Sequence, residues 1–151
     1  MEINLYMKLK TKKGLEFFID EQDKKLVSKK VWRIDHGYVR SGTNCYLHRY
    51  LLNFPKNKID HIDGNPLNNC RSNLRICTQQ ENLWNMKKRK NTSSKFKGVS
   101  WSKKDKVWCA HITKDYKSYH LGSFKTEIEA SKIYNNKALE IFGNFAKLNS
   151  Q

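Results

Sequence analysis

The run Lys87-Lys88-Arg89-Lys90-Asn91-Thr92-Ser93-Ser94-Lys95 sets the tightest limit on how this chain folds. It carries charge of a single sign and offers almost nothing to bury, so a hydrophobic core cannot pass through it. The chain is only 151 residues long, so whatever lies on either side must be small. We therefore read residues 1–86 and 96–151 as two folding regions joined by a basic linker at 87–95. Both flanks contain enough apolar and aromatic side chains for a modest core, which argues against disorder. The linker reads as a spacer and also as an arm that lies along a polyanion.

The charge balance supports a polyanionic partner. Thirty Lys and Arg stand against fourteen Asp and Glu, a net charge of +16. Each cation that neutralises a phosphate releases a counterion, so such a chain binds nucleic acid without reading a base. No apolar run approaches the roughly 20 residues of a membrane span. The first residues lack the shape of a signal peptide. The expectation is a DNA-binding protein of the cytosol, with no membrane partner. The four cysteines, Cys45, Cys70, Cys77 and Cys109, include no C-x-x-C pair and read as isolated reduced thiols. Zinc held by Cys70, Cys77 and nearby histidines is a weaker alternative.

Local patterns predict an α+β chain. Leu15–Ile19 is β-like, and Asp20 is placed to cap a short helix over Asp23–Ser28. Val31–Ile34 and Tyr38–Arg40 flank a His36-Gly37 turn, and Tyr46–Phe54 has a helical apolar face. Lys58–His61 then runs as a strand into the turn-rich Asp63-Gly64-Asn65-Pro66. A polar loop follows to Asn73, then a strand Leu74–Cys77. Thr78-Gln79-Gln80-Glu81 has the spacing of a capping box and opens a helix. Beyond the linker, Gly98–Ser102, Val107–Thr113 and Ser118–Leu121 read as three strands. Thr126-Glu127-Ile128-Glu129 has the spacing of another capping box; the helix it opens runs to Phe142, and Gly143 stops it.

Asp60-His61, Asn73 and Asn82 together supply a base, a carboxylate and two amides. If the strand–loop–strand–helix unit closes on itself, they form the set that one hard cation needs to hydrolyse a phosphodiester. Histidine titrates near neutrality and can take the proton of an attacking water. Leu47-His48-Arg49, Asp60-His61-Ile62-Asp63-Gly64-Asn65, Asn68-Asn69-Cys70-Arg71-Ser72-Asn73-Leu74-Arg75 and Gln80-Glu81-Asn82 occur in order and resemble the HNH homing endonucleases. The resemblance implies a ββα-metal unit with one Mg²⁺ (or Mn²⁺) per active site. It implies His61 as general base, Asn73 orienting the His61 ring, and Asp60 and Asn82 as metal ligands. His48 and Arg49 match the upstream His-Arg of that family, and with Arg71 and Arg75 they are candidate phosphate contacts. Residues 1–46 are similar to the short region that precedes the nuclease in HNH–AP2 chains.

A second resemblance covers roughly residues 94–149. Phe96-Lys97-Gly98-Val99-Ser100-Trp101, Trp108-Cys109-Ala110-His111-Ile112, His120-Leu121-Gly122-Ser123-Phe124 and Phe145-Ala146-Lys147-Leu148-Asn149 look like an AP2 DNA-binding domain. That fold is a three-stranded antiparallel sheet packed on one helix. It implies double-stranded DNA against Lys97, Ser100, Trp101, Ser102, Lys103, His111, Thr113, Ser118 and His120. Lys87, Lys88, Arg89 and Lys90 of the linker would add backbone contacts. Plant AP2 domains place arginine or tryptophan at most of the sheet positions, and this chain does not, so no target sequence carries over. The expected activity is a homing-type, site-specific endonuclease that nicks one strand as a monomer. The alternative is a DNA-binding regulator in which the nuclease unit is only a scaffold.

Overall fold

In the computed structural model, which describes residues 6–88 and 91–150, the chain forms two compact units that divide at Gln79/Gln80. Both are mixed α+β with small antiparallel sheets. The division lies at the start of a helix, upstream of the composition break at residue 86: Gln79 falls in the first unit and the rest of that helix in the second. Arg89 and Lys90 lie outside the described residues. No described helix is long and apolar enough to cross a membrane.

The first unit opens with a hairpin of β1 (Tyr6–Lys10) and β2 (Glu16–Asp20), closed at Gly14. Phe17 and Ile19 alternate inward on β2 and are almost fully buried. Asp20 does not cap the helix that follows; its carboxylate accepts the backbone N–H of Arg71 at 2.7 Å. The predicted helix shrinks to a 3-10 turn at Glu21–Asp23 and one turn, α1 (Lys24–Val27). Trp32 covers its end, donating from Nε1 to the Val27 carbonyl at 2.8 Å.

β3 (Arg33–Asp35), β4 (Tyr38–Ser41) and β5 (Cys45–Tyr46) form a small meander. His36 and Gly37 both have positive φ, 48° and 81°, as a two-residue hairpin turn that follows the strand twist requires. α2 spans only Leu47–Leu51, shorter than the apolar periodicity predicts. Asn53 and Phe54 take φ of 55° and 53°, which ends the helix before Pro55 and leaves Phe54 exposed. β6 (Lys58–His61) and β7 (Leu74–Cys77) then pair antiparallel. Phe17, Ile19, Val27, Trp32, Val39, Leu47, Leu51 and Leu74 form the core beneath these elements. Each such side chain contributes about 1.5–3 kcal/mol by leaving water.

The second unit contains most of α3 (Gln79–Asn85) and the meander β8 (Val99–Ser102), β9 (Val107–Lys114) and β10 (Lys117–Phe124). A bulge between His120 and Gly122 lets β10 run three residues past its predicted end. α4 (Glu127–Phe142) begins with a complete capping box between Thr126 and Glu129. Ala130, Tyr134, Ala138 and Phe142 face Val99, Ala110 and Ile112 of the sheet. Trp84 of α3 stacks on Phe142, ring centroids 4.4 Å apart, which explains why α3 belongs here.

The serine-rich part of the linker is tied down. Ser94 Oγ and the Lys95 N–H both donate to Glu127 at the start of α4, at 2.6 and 3.0 Å. Asn149 returns the chain end to the sheet by accepting the Lys97 N–H at 2.7 Å and donating to the Lys97 carbonyl at 3.0 Å.

Gly98 has φ of 73°, and a Cβ there would lie 2.0 Å from the Tyr134 ring and 2.6 Å from the His111 carbonyl. Gly98→Ala is therefore expected to destabilise the second unit by more than about 2 kcal/mol, read as a lower denaturation midpoint. Gly37→Ala, which meets no atom within 4 Å, carries only the backbone strain and should cost less.

Candidate active site

The β6–β7 ladder places two ionic partners opposite each other. Asp60 pairs with Arg75, and Nε and Nη2 of Arg75 both donate to Oδ2 of Asp60, at 2.9 and 2.6 Å. His61, the last residue of β6, faces Leu74 in the register and is buried with Asp60. The strand alternation is broken here, since both neighbours are buried, because the loop after β6 folds back over the strand end.

That loop is a mesh of short amides around one carboxylate. Asp63 Oδ1 accepts the Asn65 N–H at 2.7 Å and Asn73 Nδ2 at 3.0 Å, and Oδ2 accepts Asn68 Nδ2 at 2.8 Å. The Asp63 N–H donates in turn to Asn73 Oδ1 at 3.0 Å. Asn73 also donates to the Asn68 carbonyl, and its own carbonyl accepts the Ile62 N–H at 2.9 Å. Gly64, at φ 70°, supplies the turn. Burial alone would raise the Asp63 carboxyl, but the Asn65 N–H, the Asn68 and Asn73 amides and His61 outweigh it and hold it below the usual carboxylate range. The loop docks on β2 through hydrogen bonds from Phe18 to Leu67 and from Asn69 to Phe18.

The His61 ring is held by Asn69 and His48. Nε2 lies 3.5 Å from Oδ1 of Asn69, whose side chain is wholly buried and whose Nδ2 donates to the Pro66 carbonyl. With Oδ1 accepting, the neutral ring carries its proton on Nε2 and its lone pair on Nδ1. His48, on α2, packs edge-on against His61 with centroids 5.2 Å apart. Tyr46 stacks on His48, and Tyr38 touches both histidines. Burial lowers the pKa of both rings, that of His48 to about 4 with help from His61 and Arg49. For His61, Asn69, Asp63 and Asp60 partly offset the burial. Both rings are thus uncharged at neutral pH, the state a proton acceptor requires. Nδ1 of His48 is buried with no hydrogen-bond partner among the described residues.

The structure distributes the remaining candidates unevenly. Asn73 meets Asp63 and Asn68, so it fixes the loop beside His61, and the amide that reaches the His61 ring is that of Asn69. Asn82 lies half-buried on α3, in the second unit. Arg49 donates to the carbonyls of Pro55 and Asn57 and so closes the turn after α2. Arg71 forms a two-pronged ion pair with the buried Asp23, at 2.9 and 2.8 Å. A buried carboxylate requires such a partner, so Arg71 serves the fold in this state. Cys70 sits beside Asp20, and burial followed by that carboxylate pushes its thiol up to about 11, a poor state for a zinc ligand. Among the described residues no group of three or more His, Cys, Asp or Glu is arranged to hold a metal ion.

In the second unit, alternation sorts the sheet candidates by face. Val99, Ala110 and Ile112 point to α4, so Ser100, Ser102, His111, Thr113, Ser118 and His120 occupy the opposite face. There His111 and His120 are directly opposed, with Nε2 and Nδ1 3.2 Å apart. Trp101 is on the other face, edge-on to Trp108 at 5.0 Å, which places it with the helix-side packing. Lys97 is also placed otherwise than the resemblance implies: its ammonium donates to the carbonyls of Trp84 and Met86 at 2.5 and 2.8 Å. It caps the end of α3, and burial, with Lys147, brings its pKa down to about 8. Lys87 and Lys103 are exposed. The Lys88 ammonium is buried without a hydrogen-bond partner among the described residues, and burial lowers its pKa against the pull of Glu127.

Sequence reasoning did not single out Asn69. A buried amide in an otherwise polar loop leaves no trace in hydrophobic periodicity; the only signal was its place in the Asn68-Asn69 pair between the two motif segments.

Residues 25–84 match the HNH endonuclease family. An uncharacterized HNH endonuclease of Acanthamoeba polyphaga mimivirus is 35% identical over 147 residues, covering 91% of this chain and 76% of the relative. Protein 3.8 of Escherichia phage T7 is 42% identical over 89 residues, covering 59% of this chain and 73% of the relative. No solved structure matches. With the family segment spanning both β6 and β7 and a relative matched along most of its length, the chain belongs to the HNH endonuclease family and is a nuclease.

Proposed function

We propose that this nuclease cuts double-stranded DNA at specific sites, as a homing-type enzyme that nicks one strand as a monomer. The observation that carries the reading is the buried, uncharged His61 beside the Asp60 carboxylate, held by Asn69 and by the loop that Asn73 locks. In this reading His61 takes the proton of the attacking water. The ring reaches the transition state already oriented, so little entropy is lost in aligning it. Asn73 acts on the ring through the loop it ties together.

The donor set suits a hard divalent cation. Asp60 offers an anionic oxygen, and the loop is rich in amide oxygens, whereas burial and Asp20 keep the Cys70 thiol protonated. Asp60, and Asn82 by its motif position, would hold one Mg²⁺ or Mn²⁺. When bound, such an ion stabilises the charge that develops on the phosphate and the leaving oxygen. Arg75 and His48 are proposed to act at the phosphate side of this centre, and Arg49 and Arg71 to support the loops there.

The second unit is proposed to be the AP2-like DNA-binding part, laying the face with Ser100, Ser102, His111, Thr113, Ser118 and His120 on the duplex. Its side chains are short and hydrogen-bonding, which suits base edges and sugar contacts. Lys103 and the linker residues Lys87, Lys88, Arg89 and Lys90 would supply backbone contacts. The phage and viral relatives fit action in the cytosol of a host cell. A regulator without catalysis would keep the sheet but has no use for the His61 pocket.

Incubation of the protein with supercoiled plasmid carrying its host locus tests the catalytic reading. Nicked circles should form with Mg²⁺ and not with EDTA. His61→Ala should slow nicking by roughly a hundredfold or more with an unchanged melting temperature. Undiminished nicking by that variant, or nicking in EDTA, would refute the assignment. Asn73→Ala should differ by lowering activity and stability together, the latter by about 1–3 kcal/mol, because three part-buried hydrogen bonds to Asp63 and Asn68 are lost. Duplex affinity should fall steeply between low and physiological salt, and Lys87→Ala should reduce the log–log slope by about one.

A further inference from the structure

Arg75 and Asp60 form a pair that does more than close a hairpin. They are direct cross-strand neighbours, their side chains are only 15% and 8% exposed, and Nε and Nη2 of Arg75 both donate to Oδ2 of Asp60. Arg71, by comparison, contacts both oxygens of Asp23. A buried carboxylate is costly unless a cation or hydrogen-bond donors face it. In the protein without DNA, that cation is Arg75.

We propose that Arg75 is a latch on the metal site: it occupies Asp60 until a DNA phosphate takes over its guanidinium, and only then does Asp60 bind the divalent ion strongly. This deepens the reading of Asp60 as a metal ligand and rests on it. The physical basis is competition between cations. A guanidinium and a divalent ion on one carboxylate repel each other at short range, and in a buried setting little water screens them. The guanidinium fork fits a phosphate as well as it fits a carboxylate, so the exchange replaces one two-pronged contact by another. Arg75 stays charged throughout, and no proton moves. By linkage, DNA and metal then raise each other's affinity by the same factor. The nuclease is weakly armed while free and becomes armed on the duplex.

The test measures Mn²⁺ binding by calorimetry on the full chain, in a His61→Ala background that prevents cutting, with and without a short duplex of random sequence. Asp60→Asn in the same background gives the Mn²⁺ taken up elsewhere, including by the duplex itself. The latch predicts that duplex tightens Mn²⁺ binding in the parent by roughly tenfold or more. Arg75→Gln should bind Mn²⁺ that much more tightly without DNA, and duplex should then add little. Arg75→Lys keeps the charge but lacks the fork; it should fold and give intermediate coupling, and it decides the matter if Arg75→Gln does not fold. Parent-like Mn²⁺ affinity in a folded Arg75→Gln, or undiminished coupling in Arg75→Lys, overturns the latch. Mn²⁺ binding unaffected by Asp60→Asn overturns the metal-ligand reading itself and is distinct from both.

Discussion

The first unit depends on how a polar loop satisfies its own hydrogen bonds. Residues 62–73 include four asparagines and one aspartate, and several of these side chains leave water when the loop folds over β6. An amide buried without a partner costs about 1–3 kcal/mol, so the loop is stable only as a closed set. Asp63 closes it. One carboxylate receives Asn65, Asn68 and Asn73, and the resulting frame leaves Asn69 to point inward at His61. The position of the catalytic candidate therefore follows from a structural requirement two residues away. It also explains why polar residues, rather than an apolar cluster, line this end of the sheet.

The chain's positive charge is used differently in its two units. In the first, Arg40, Arg71 and Arg75 face Asp35, Asp23 and Asp60, so much of that charge is balanced internally. In the second, the face opposite α4 carries no acidic side chain in its strands; it holds serine, threonine, cysteine and histidine, with Val107 at one end and lysines such as Lys103, Lys114 and Lys117 at the strand ends and turns. Neutral hydrogen-bonding groups in the middle and cations at the margin separate base contact from phosphate contact, which is the division that duplex recognition uses.

Much of this was legible in the sequence, for identifiable reasons. The strands of the second unit alternate with period two, and α4 carries a cap, an apolar stripe and a stop, so local rules agree with one another there. The β6–loop–β7 order and the residues of the motif were equally plain. What the sequence did not disclose were the long-range uses of polar side chains. Asp20 has the spacing of a helix cap but instead accepts from Arg71, 51 residues away. Lys97 looks like a surface cation but ends α3. Asn73 has the motif position of a ring-orienting amide but spends its donors on Asp63 and Asn68. Trp101 alternates onto the helix side of its sheet. In each case the residue type was informative and the partner was not, because partner choice is decided by tertiary folding. The helix α2 fell short for a local reason that composition hides, two consecutive residues with positive φ.

A purely structural role for the His61 pocket is hard to reconcile with its energetics. Two histidines are buried far enough to lose their charge, one of them with Nδ1 unsatisfied among the described residues, and an ion pair is buried beside them. Replacing a buried ion pair by apolar side chains of similar volume is often neutral or stabilising, and an unpaired buried nitrogen is a standing cost. A scaffold would gain by being apolar at this place, and the unit has an apolar core close at hand in Phe17, Ile19, Val39 and Leu47 to extend. The polar groups are instead gathered at one strand end, next to a turn that presents backbone and amides. Membership of a nuclease family supplies a reason that stability alone does not: in the proposed reading the cost is borne where a base must stay uncharged and a carboxylate must keep a cation.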